Sequence, residues 1–383
     1  MTKIKSYKKK NGQTYYAVTG YLGTDPDTGK KVVTTRRGFK SKREAQLAFS
    51  KLQTETEQNG FLKQSRMTFQ EVYDLWLETY KLNVKESTFV KQTELYRIHI
   101  LPYFGKKQIS KITPALVQKF ANDKVKKFKR YREFISNTSR IFDHAIRLKI
   151  ISRNPVKDIL IPSPPSKIDD DSKENFLSKD ELIAFLSAVD RIDDMKQSTF
   201  LRLLAMSGCR MGELLGLQWG NVFLDKGYIK IKQTLARGEN RRLYLETPKT
   251  KASIREIPLD PETITALRTW RRKQKEDLLA LGFNAMSPEQ LVFSKINTNG
   301  FIQLSTPIKW LNKVLDRLDT KRITLHGLRH THATMLLESG RTLKDVSARL
   351  GHSSIEITSD LYIHVTEKRS RESVNELVNY LES

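Results

Sequence analysis

The chain has 383 residues, which exceeds the size at which a single hydrophobic core stops growing and therefore predicts two or three domains. No apolar run approaches the roughly 18 to 20 residues of a membrane span, the N-terminus lacks the apolar stretch of a secretory signal, and the single cysteine, Cys209, excludes an intramolecular disulfide and a cysteine-rich zinc site. A net charge of +25 predicts a polyanionic partner, and these features together predict a cytoplasmic protein that does not cross a membrane.

The excess positive charge is concentrated in the first 165 residues. Residues 1–66 hold 15 Lys and Arg against 5 Asp and Glu, and residues 67–165 hold 19 against 9, so that +20 of the +25 lies there. No segment has the form of a basic amphipathic anchor, which favours a nucleic acid over an acidic membrane as the partner. Charge alone leaves DNA and RNA both open, with a merely solvated lysine surface as the alternative.

The first predicted unit, residues 1–62, is a small basic sheet with one helix. TYYAVTGYL and KVVTTRRGF read as two strands of a hairpin joined by DPDTGK, because both are rich in aromatic and β-branched residues. Ser41 and Glu44 then form a capping box, which predicts a helix up to about residue 59. A sheet can enter the major groove of DNA as a helix does. The candidate DNA contacts on this sheet are Lys31, Arg36 and Arg37.

The second predicted unit, residues 66–162, is all-helical. Thr68 and Glu71 form another capping box, Thr113-Pro114 starts a further helix, and apolar positions recur every three or four residues through REFISNTSRIFDHAIRLKII. The candidate DNA contacts in this unit are Lys126, Lys127 and Arg130. Residues 163–175 contain Pro, Ser and Asp with almost no apolar side chains, so they are predicted to be an exposed linker.

The third predicted unit, residues 176–383, is mainly helical with a small antiparallel sheet. Ser178 and Glu181 form a capping box, and Asp260-Pro261 and Thr306-Pro307 are typical starts of two more helices. GYIKIKQTLAR, RRLYLE and REIPL are predicted strands. The predicted fold class is therefore α+β and multidomain.

Five of the seven histidines fall between residues 326 and 364. On a helix, His326, Arg329 and His330 share one face, whereas His332 is rotated away. His326 and His330 have the spacing of a zincin, but Gly327 stands where a zincin needs glutamate, and a cationic arginine between the two opposes a dication, so metal binding is disfavoured. His326 with Arg329 forms a His-x-x-Arg unit whose donors suit phosphate oxygens. For His330 and His332 a capping or packing role remains open.

A second arginine strengthens the anion-binding interpretation. Arg210 follows a break at Gly208 and starts a helix, where backbone N–H groups and the helix dipole favour negative charge. Arg210 and Arg329 could then hold one phosphate from two sides, and the alternative for Arg210 is a salt bridge to Glu213 at i+3. Cys209 has no triad partner close in sequence and is predicted to be a small buried residue.

Four segments of the chain resemble, in the same order, those of the tyrosine recombinases, in particular the integrases of phages and conjugative elements: SGCRMGELLGLQW, ETPKTKASIREIPL, LHGLRHTHATMLLESG and LGHSSIEITSDLYIHV. The resemblance covers essentially the whole chain. It implies a site-specific DNA recombinase of a mobile element that uses neither cofactor nor metal. It also implies that residues 1–62 are an arm-type DNA-binding domain, residues 66–162 a helical core-binding domain and residues 176–383 the catalytic domain.

The resemblance further implies the catalytic residues, which are Arg210, Lys249, His326, Arg329, His352 and Tyr362, with Glu213 orienting the first arginine. A tyrosine with an unperturbed pKa of about 10 attacks a phosphodiester only if a base removes its proton and cations stabilise the transition state. We expect His326 to accept that proton and Lys249 to protonate the leaving 5′-oxygen. The bond energy is then kept in a 3′-phosphotyrosyl link.

Alternatives remain for single residues and for the whole protein. Lys251 shares the PKTK turn with Lys249, Tyr362 has the alternative of a core aromatic, and His364 is read as secondary. A type IB topoisomerase-like nicking-closing enzyme would use the same chemistry without partner exchange, but the separate arm-like domain argues against it. A pure DNA-binding protein with a degenerate site is disfavoured by the complete catalytic set.

A C-terminal stripe predicts one more helix, and its members at i, i+3, i+4 and i+7 are Val374, Leu377, Val378 and Leu381. This helix either packs on its own domain or docks on a neighbouring protomer, and the sequence does not decide between the two. The resemblance implies double-stranded DNA attachment sites, a homotetramer on DNA, an excisionase and a host DNA-bending protein as partners, and no membrane.

Overall fold

The computed structural model describes residues 2–9, 12–24, 29–59, 66–163, 175–248, 253–318 and 320–351. The chain divides into two compact units, Met1–Pro165 and Ser166–Ser383. Within the described ranges no helix combines the length and the apolar character that crossing a membrane requires.

The first unit begins with a three-stranded antiparallel sheet. Strands β1 (Lys3–Lys8), β2 (Thr14–Thr24) and β3 (Lys31–Phe39) follow one another in that order, and helix α1 (Lys42–Asn59) covers one face. Val18, Ala45 and Phe49 form the small core between them. A Cβ on Gly20 would lie 2.3 Å from the ring of Phe49, so this close approach requires glycine. The predicted hairpin and helix are confirmed, whereas the polar strand β1 was not predicted.

The rest of the first unit is helical, as predicted. Its helices are α2 (Phe69–Asn83), α3 (Glu86–Leu95), α4 (Leu101–Phe104), α5 (Pro114–Val125) and α6 (Tyr131–Arg147), with a π-helical turn at Tyr96–Ile100 and 3-10 turns at Ile109–Lys111 and Pro155–Asp158. Both bonds of the predicted capping box between Thr68 and Glu71 are present. Phe69, Phe104 and Phe120 lie in an aromatic core without exposed surface.

The described residues of the second unit form seven helices and two small sheets around a main core, with a smaller apolar cluster between the last two helices. Its helices are α7 (Lys179–Asp190), α8 (Met195–Ser207), α9 (Met211–Leu215), α10 (Pro261–Ala280), α11 (Thr306–Leu318), α12 (Leu325–Glu338) and α13 (Leu343–Leu350). Its strands are β4 (Val222–Phe223), β5 (Tyr228–Ile231), β6 (Thr234–Arg237), β7 (Leu243–Glu246) and β8 (Arg255–Pro258). Short 3-10 turns lie at Trp219–Asn221 and Glu239–Arg241. Helix α8 is buried along most of its length and contacts α7, α10, α11 and α12.

The single strand predicted for GYIKIKQTLAR is wrong, because the segment divides into β5 and β6. Among the described strands, β5 pairs with β4 and β8, whereas β6 pairs with β7 in a separate hairpin. Between them, Gln233 donates its side-chain amide to the carbonyl of Gly216 at 2.9 Å. A Cβ on Gly216 would lie 3.0 Å from the backbone N of Leu235, so β6 runs directly against the end of α9. This tertiary contact, which the sequence pattern does not encode, takes β6 out of the first sheet.

Candidate active site

Arg210 lies at the turn between α8 and α9. Helix α8 ends at Gly208, whose φ of +65° is the left-handed conformation that favours glycine, and Arg210 is the N-cap of α9. The backbone N of Arg210 donates to Oε2 of Glu213 at 2.8 Å, and Nη1 donates to Oε1 at 3.0 Å. The Arg210 side chain is 41% exposed, whereas that of Glu213 is 6% exposed. Glu213 therefore orients Arg210 from the interior, as predicted, while part of the guanidinium remains accessible.

Glu213 also binds a second arginine, Arg255, which the sequence analysis missed. Nη2 and Nη1 of Arg255 donate to the two carboxylate oxygens at 2.8 and 3.2 Å, and both side chains are 6% exposed. Burial alone would raise the pKa of Glu213, but the hydrogen bonds and charge of Arg255, together with Arg210, hold that pKa below its ordinary value. The carboxylate is therefore ionised and shared by two guanidinium groups.

Helix α12 carries His326 and His330 on one face, as their spacing predicted. Thr324 caps the helix by accepting the backbone N–H of Gly327 at 3.0 Å. The imidazole rings of His326 and His330 meet edge to face with centroids 4.5 Å apart. Burial, with repulsion from His330, Arg329 and Arg210, lowers the pKa of His326 to about 4. His326 is therefore neutral at pH 7 and retains one ring nitrogen that can accept a proton.

Arg329 lies in the interior of the second unit, 2% exposed. Nη1 donates to the carbonyl of Gly208 and Nη2 to the carbonyl of Leu350, each at 2.8 Å, so the side chain joins α12 to the C-terminal ends of α8 and α13. Its buried Nε has no hydrogen-bond partner among the described residues. Burial and the charge of Arg210 lower the pKa of Arg329 to about 9, and the guanidinium stays cationic at neutral pH.

His332 has the packing role that the sequence left open, and it points away from the His326 face. Its Nδ1 lies 3.1 Å from the carbonyl oxygen of Ala205, and its Nε2 accepts the Nε–H of Arg349 at 3.0 Å. Cys209 is fully buried, which confirms the prediction of a small buried residue, and burial raises the pKa of its thiol to about 11.

Three predicted catalytic residues, Lys249, His352 and Tyr362, lie outside the described residues, as do Lys251, His364 and the C-terminal stripe. The described part of the chain does include Gly351, which directly precedes His352. Arg210, His326 and Arg329 lie close enough for their charges to act on one another. Within the described ranges, no group of three or more His, Cys, Asp or Glu side chains could hold a metal ion.

The predicted arm contacts all lie on strand β3 and are exposed. Arg36 pairs with Val18, which faces α1, whereas Arg37 pairs with Ala17 in the next register position. Because side chains alternate along a strand, Lys31 and Arg37 share the open face of the sheet and Arg36 belongs to the helix-covered face. In the helical part, Lys126 and Lys127 are exposed at the end of α5, and Arg130 at the start of α6 forms an ion pair with Glu133.

A basic cleft of about 570 Å³ beside α6 was missed by the sequence analysis. Its lining includes Trp76 together with Arg132, Arg140, Arg147 and Lys157. None of these four cations forms an ion pair with another described residue. The three arginines are spaced by eight and seven residues, which places them within about 80° of one another on an α-helix. This spacing of arginines is the feature of the sequence that could have predicted the basic cleft.

Three family models match consecutive parts of the chain. The arm DNA-binding domain matches residues 4–56, the N-terminal SAM-like domain of phage integrases matches residues 68–125, and the phage integrase family itself matches residues 175–369. The chain belongs to the phage integrase family.

Relatives of this integrase match it over nearly its full length. A XerC-like tyrosine recombinase of Caldanaerobacter subterraneus subsp. tengcongensis is 32% identical over 404 residues, which cover 98% of this chain and 99% of the relative. The ICEBs1 integrase of Bacillus subtilis is 28% identical over 380 residues, with the same coverage of both chains. A solved structure of the Tn1549 transposon integrase in complex with transposon right end DNA has a TM-score of 0.65 and 23% identity over 82% of this integrase and 100% of that chain, which shows a common fold.

These matches confirm the predicted tyrosine recombinase family, its α+β multidomain fold and its activity as a site-specific recombinase. They do not favour the topoisomerase-like alternative, because the matched family and the full-length relatives are integrases and recombinases.

Proposed function

We propose that this recombinase integrates and excises a mobile element by cleaving and rejoining DNA strands at attachment sites through a covalent tyrosine intermediate. The observation that carries the proposal is the meeting of Arg210 and Arg329 beside a neutral His326. Two guanidinium groups beside an acceptor of protons form the set that phosphoryl transfer to a side-chain nucleophile needs. The ICEBs1 integrase, a relative over its full length, supports the assignment to a mobile element.

The cleavage step uses the residues in complementary roles. The phenolic oxygen of Tyr362 forms a bond to phosphorus and the P–O5′ bond breaks, while the half-exposed Arg210 binds a non-bridging oxygen. Arg329 supplies the second cation, with its Nε, which has no partner among the described residues, as the donor left for the phosphate. His326 takes the tyrosine proton, and its low pKa keeps it in the neutral form that can do so. Lys249 gives a proton to the leaving 5′-oxygen. His352 donates a further hydrogen bond to the phosphate.

Rejoining reverses the same step on a different strand end. A 5′-hydroxyl attacks the phosphotyrosyl phosphorus, the tyrosine leaves and recovers its proton, and the total number of phosphodiester bonds is unchanged. The chemistry therefore requires neither ATP nor a metal ion, because the cationic side chains supply the charge stabilisation.

The domain roles follow from the distribution of charge and from the three matched family models. We assign residues 1–62 to arm-site binding, residues 66–162 to core-site binding, residues 163–175 to the linker and residues 176–383 to catalysis. The DNA contacts that we propose are Lys31 and Arg37 on the open face of the sheet, and Lys126, Lys127 and Arg130 in the helical part. Arg36 belongs to the helix-covered face and is not among them. The basic cleft beside α6 adds a further surface for phosphate groups.

The number of protomers in the assembly follows from the number of DNA strands that are cut. Exchange between two duplexes cuts and rejoins four strands, and each protomer carries one Tyr362, so four protomers supply one nucleophile per strand. We therefore propose a homotetramer on DNA in the cytoplasm. An excisionase that sets direction and a host DNA-bending protein complete the proposed set of partners.

The test is a covalent-trapping experiment in EDTA. Wild-type protein, Tyr362→Phe and the control Tyr228→Phe are incubated with nicked duplexes that carry candidate attachment sites, and adducts are resolved on denaturing gels. Tyr228 lies on β5 against Phe223, so its variant tests loss of a tyrosine hydroxyl elsewhere in the same unit. We expect adducts from the wild type and Tyr228→Phe only. An adduct formed by Tyr362→Phe, or its absence from a wild type that binds the DNA, would contradict the proposal.

A further inference from the structure

Arg255, the first residue of β8, joins α9 to α13. Its guanidinium binds both oxygens of Glu213, and its Nε donates to the backbone carbonyl of Arg349 at 2.8 Å. The three contacted groups come from sequence positions 42 and 94 residues away from Arg255. A single buried side chain thus connects a carboxylate beside the site to the backbone near the end of α13.

Any movement of Glu213 would be transmitted to Arg210. The carboxylate that Arg255 holds is the same one that accepts the backbone N–H and the Nη1 of Arg210. Without Arg255, Glu213 would keep only the half-exposed Arg210 as its cationic partner among the described residues. A bidentate guanidinium fixes both oxygens of a carboxylate. Arg255 therefore sets the orientation of the Glu213 carboxylate that binds Arg210.

The C-terminal end of α13 is held by two arginines. The last carbonyls of a helix have no partner within the helix, and here Arg255 binds that of Arg349 while Arg329 binds that of Leu350. Gly351 then ends the helix in the left-handed conformation, with φ of +69°. His352 is the next residue in the sequence. The described end of α13 is therefore held by the same side chain that holds Glu213.

We propose that Arg255 is a positioning residue of the recombination reaction, which fixes Arg210 and the end of α13 relative to each other. This inference rests on the proposed function. All three guanidinium nitrogens of Arg255 already donate to protein acceptors, since Nη1 also donates to the carbonyl of Ser253 at 3.2 Å. Arg255 therefore acts through its neighbours and does not bind the phosphate itself.

The test compares Arg255→Lys with a matched control, Arg202→Lys. Lysine keeps the charge but cannot bind both oxygens of Glu213 and the carbonyl of Arg349 together. Arg202 is a buried arginine of the same unit, 7% exposed and paired with Asp190 and Glu262, neither of which contacts the site. With DNA affinity unchanged, we expect Arg255→Lys to lower single-turnover cleavage roughly 10- to 100-fold, as small displacements in active sites do. The control should cleave at nearly the wild-type rate.

A substrate with altered charge separates positioning from a general loss of structure. A methylphosphonate at the scissile position lacks one charged non-bridging oxygen, so alignment of Arg210 matters less for its cleavage. The wild type cleaves the normal substrate faster than Arg255→Lys by some factor, and on the methylphosphonate this factor should be about 5-fold or more smaller. The reason is that a misaligned charge contributes less when the oxygen it faces is uncharged. For each protein, the cleavage rate on one substrate is divided by its rate on the other. A fraction of unfolded protein lowers both rates equally and therefore does not change this ratio.

Equal deficits on both substrates, wild-type cleavage by Arg255→Lys, or an equal loss in Arg202→Lys would each overturn the inference. A wild type that binds DNA and forms no adduct would overturn the proposed function and this inference with it. Adduct formation by the wild type therefore distinguishes failure of the proposed function from failure of this inference alone.

Discussion

The ring of His332 is held in its neutral form by its contacts. Nε2 accepts a hydrogen bond from Arg349, so the proton resides on Nδ1, which faces the carbonyl oxygen of Ala205. Burial and the charge of Arg349 lower the pKa of His332 to about 3. Protonation would place a cation beside a guanidinium in the interior, and this contact makes the stability of the second unit depend on pH.

We expect His332→Gln to weaken that dependence. The folded-state pKa lies below the unfolded value of about 6.5, so as pH falls the unfolded chain takes up the proton first and stability is lost between about pH 6.5 and pH 3. Each such group contributes a slope of up to about 1.4 kcal/mol per pH unit. Urea unfolding from pH 7 to pH 4 should show a shallower slope for His332→Gln, and a smaller change for His330→Gln on the same helix, whose ring is more exposed. Identical slopes for His332→Gln and the wild type would contradict this.

Single residues also show how far sequence reasoning reaches. The spacing of His326 and His330 and the position of Glu213 three residues after Arg210 predicted their contacts correctly, because those contacts are local. Arg255 and Arg349 were missed because their partners lie on other elements, and nothing in REIPL marks Arg255 as buried or in SARLG marks Arg349 as half-buried.

Helix α12 is crossed at its first turn by the segment that begins the described part of the second unit. Oδ1 of Asn175 accepts the backbone N–H of Thr324 at 2.9 Å, and Leu177 donates its N–H to Thr331 Oγ1 at 2.9 Å. A Cβ on Gly327 would lie 2.6 Å from Asn175 Oδ1 and 2.7 Å from its carbonyl oxygen. Glycine is required here by the close approach of another backbone, against the propensity of a helix.

Gly327→Ala should therefore destabilise the second unit. Alanine normally stabilises an exposed helix interior by about 1 kcal/mol relative to glycine, whereas overpacking against backbone costs about 1 to 3 kcal/mol. We expect the second effect to dominate, with a lower urea midpoint and an unchanged m-value. A rise in the midpoint would show that the Asn175 segment moves aside at little cost.

Elements with strong caps were predicted well. The capping boxes at Thr68 and Ser178 and the Asp260-Pro261 start all appear in the structure, since a cap is a local property. Strand β1 was not predicted because it has few apolar residues. The division between β5 and β6 was not predicted because it depends on the contact of β6 with Gly216 at the end of α9, which lies about twenty residues earlier in the chain.

For the whole molecule, the basic first unit predicts DNA binding that depends steeply on salt. In its helical part, two surfaces are candidates for the phosphate contacts. One is the turn with Lys126, Lys127 and Arg130, and the other is the cleft with Arg140, Arg147 and Lys157. Each phosphate contact contributes about 0.9 to the slope of log Kd against log salt concentration.

The triple alanine variants of these two surfaces should separate them. If both surfaces bind phosphate, each variant should reduce the salt slope by up to about 2.7, the value for three contacts. Gel-shift titrations from low to physiological salt give the slopes, and a variant whose slope equals that of the wild type identifies a surface that does not contact DNA. Because Arg130 already pairs with Glu133, we expect the smaller change for the turn.

The guanidinium groups of Arg210, Arg255, Arg329 and Arg349 have one carboxylate, Glu213, as their ion-pair partner within the described residues. Within the described residues, positive charge therefore exceeds negative charge in this largely buried place, and we expect the DNA backbone to act as its counter-ion. By thermodynamic linkage, binding that neutralises this surplus also stabilises the fold. The same attraction acts on substrate and product alike, so the charges that promote strand cleavage also oppose release of the recombined DNA.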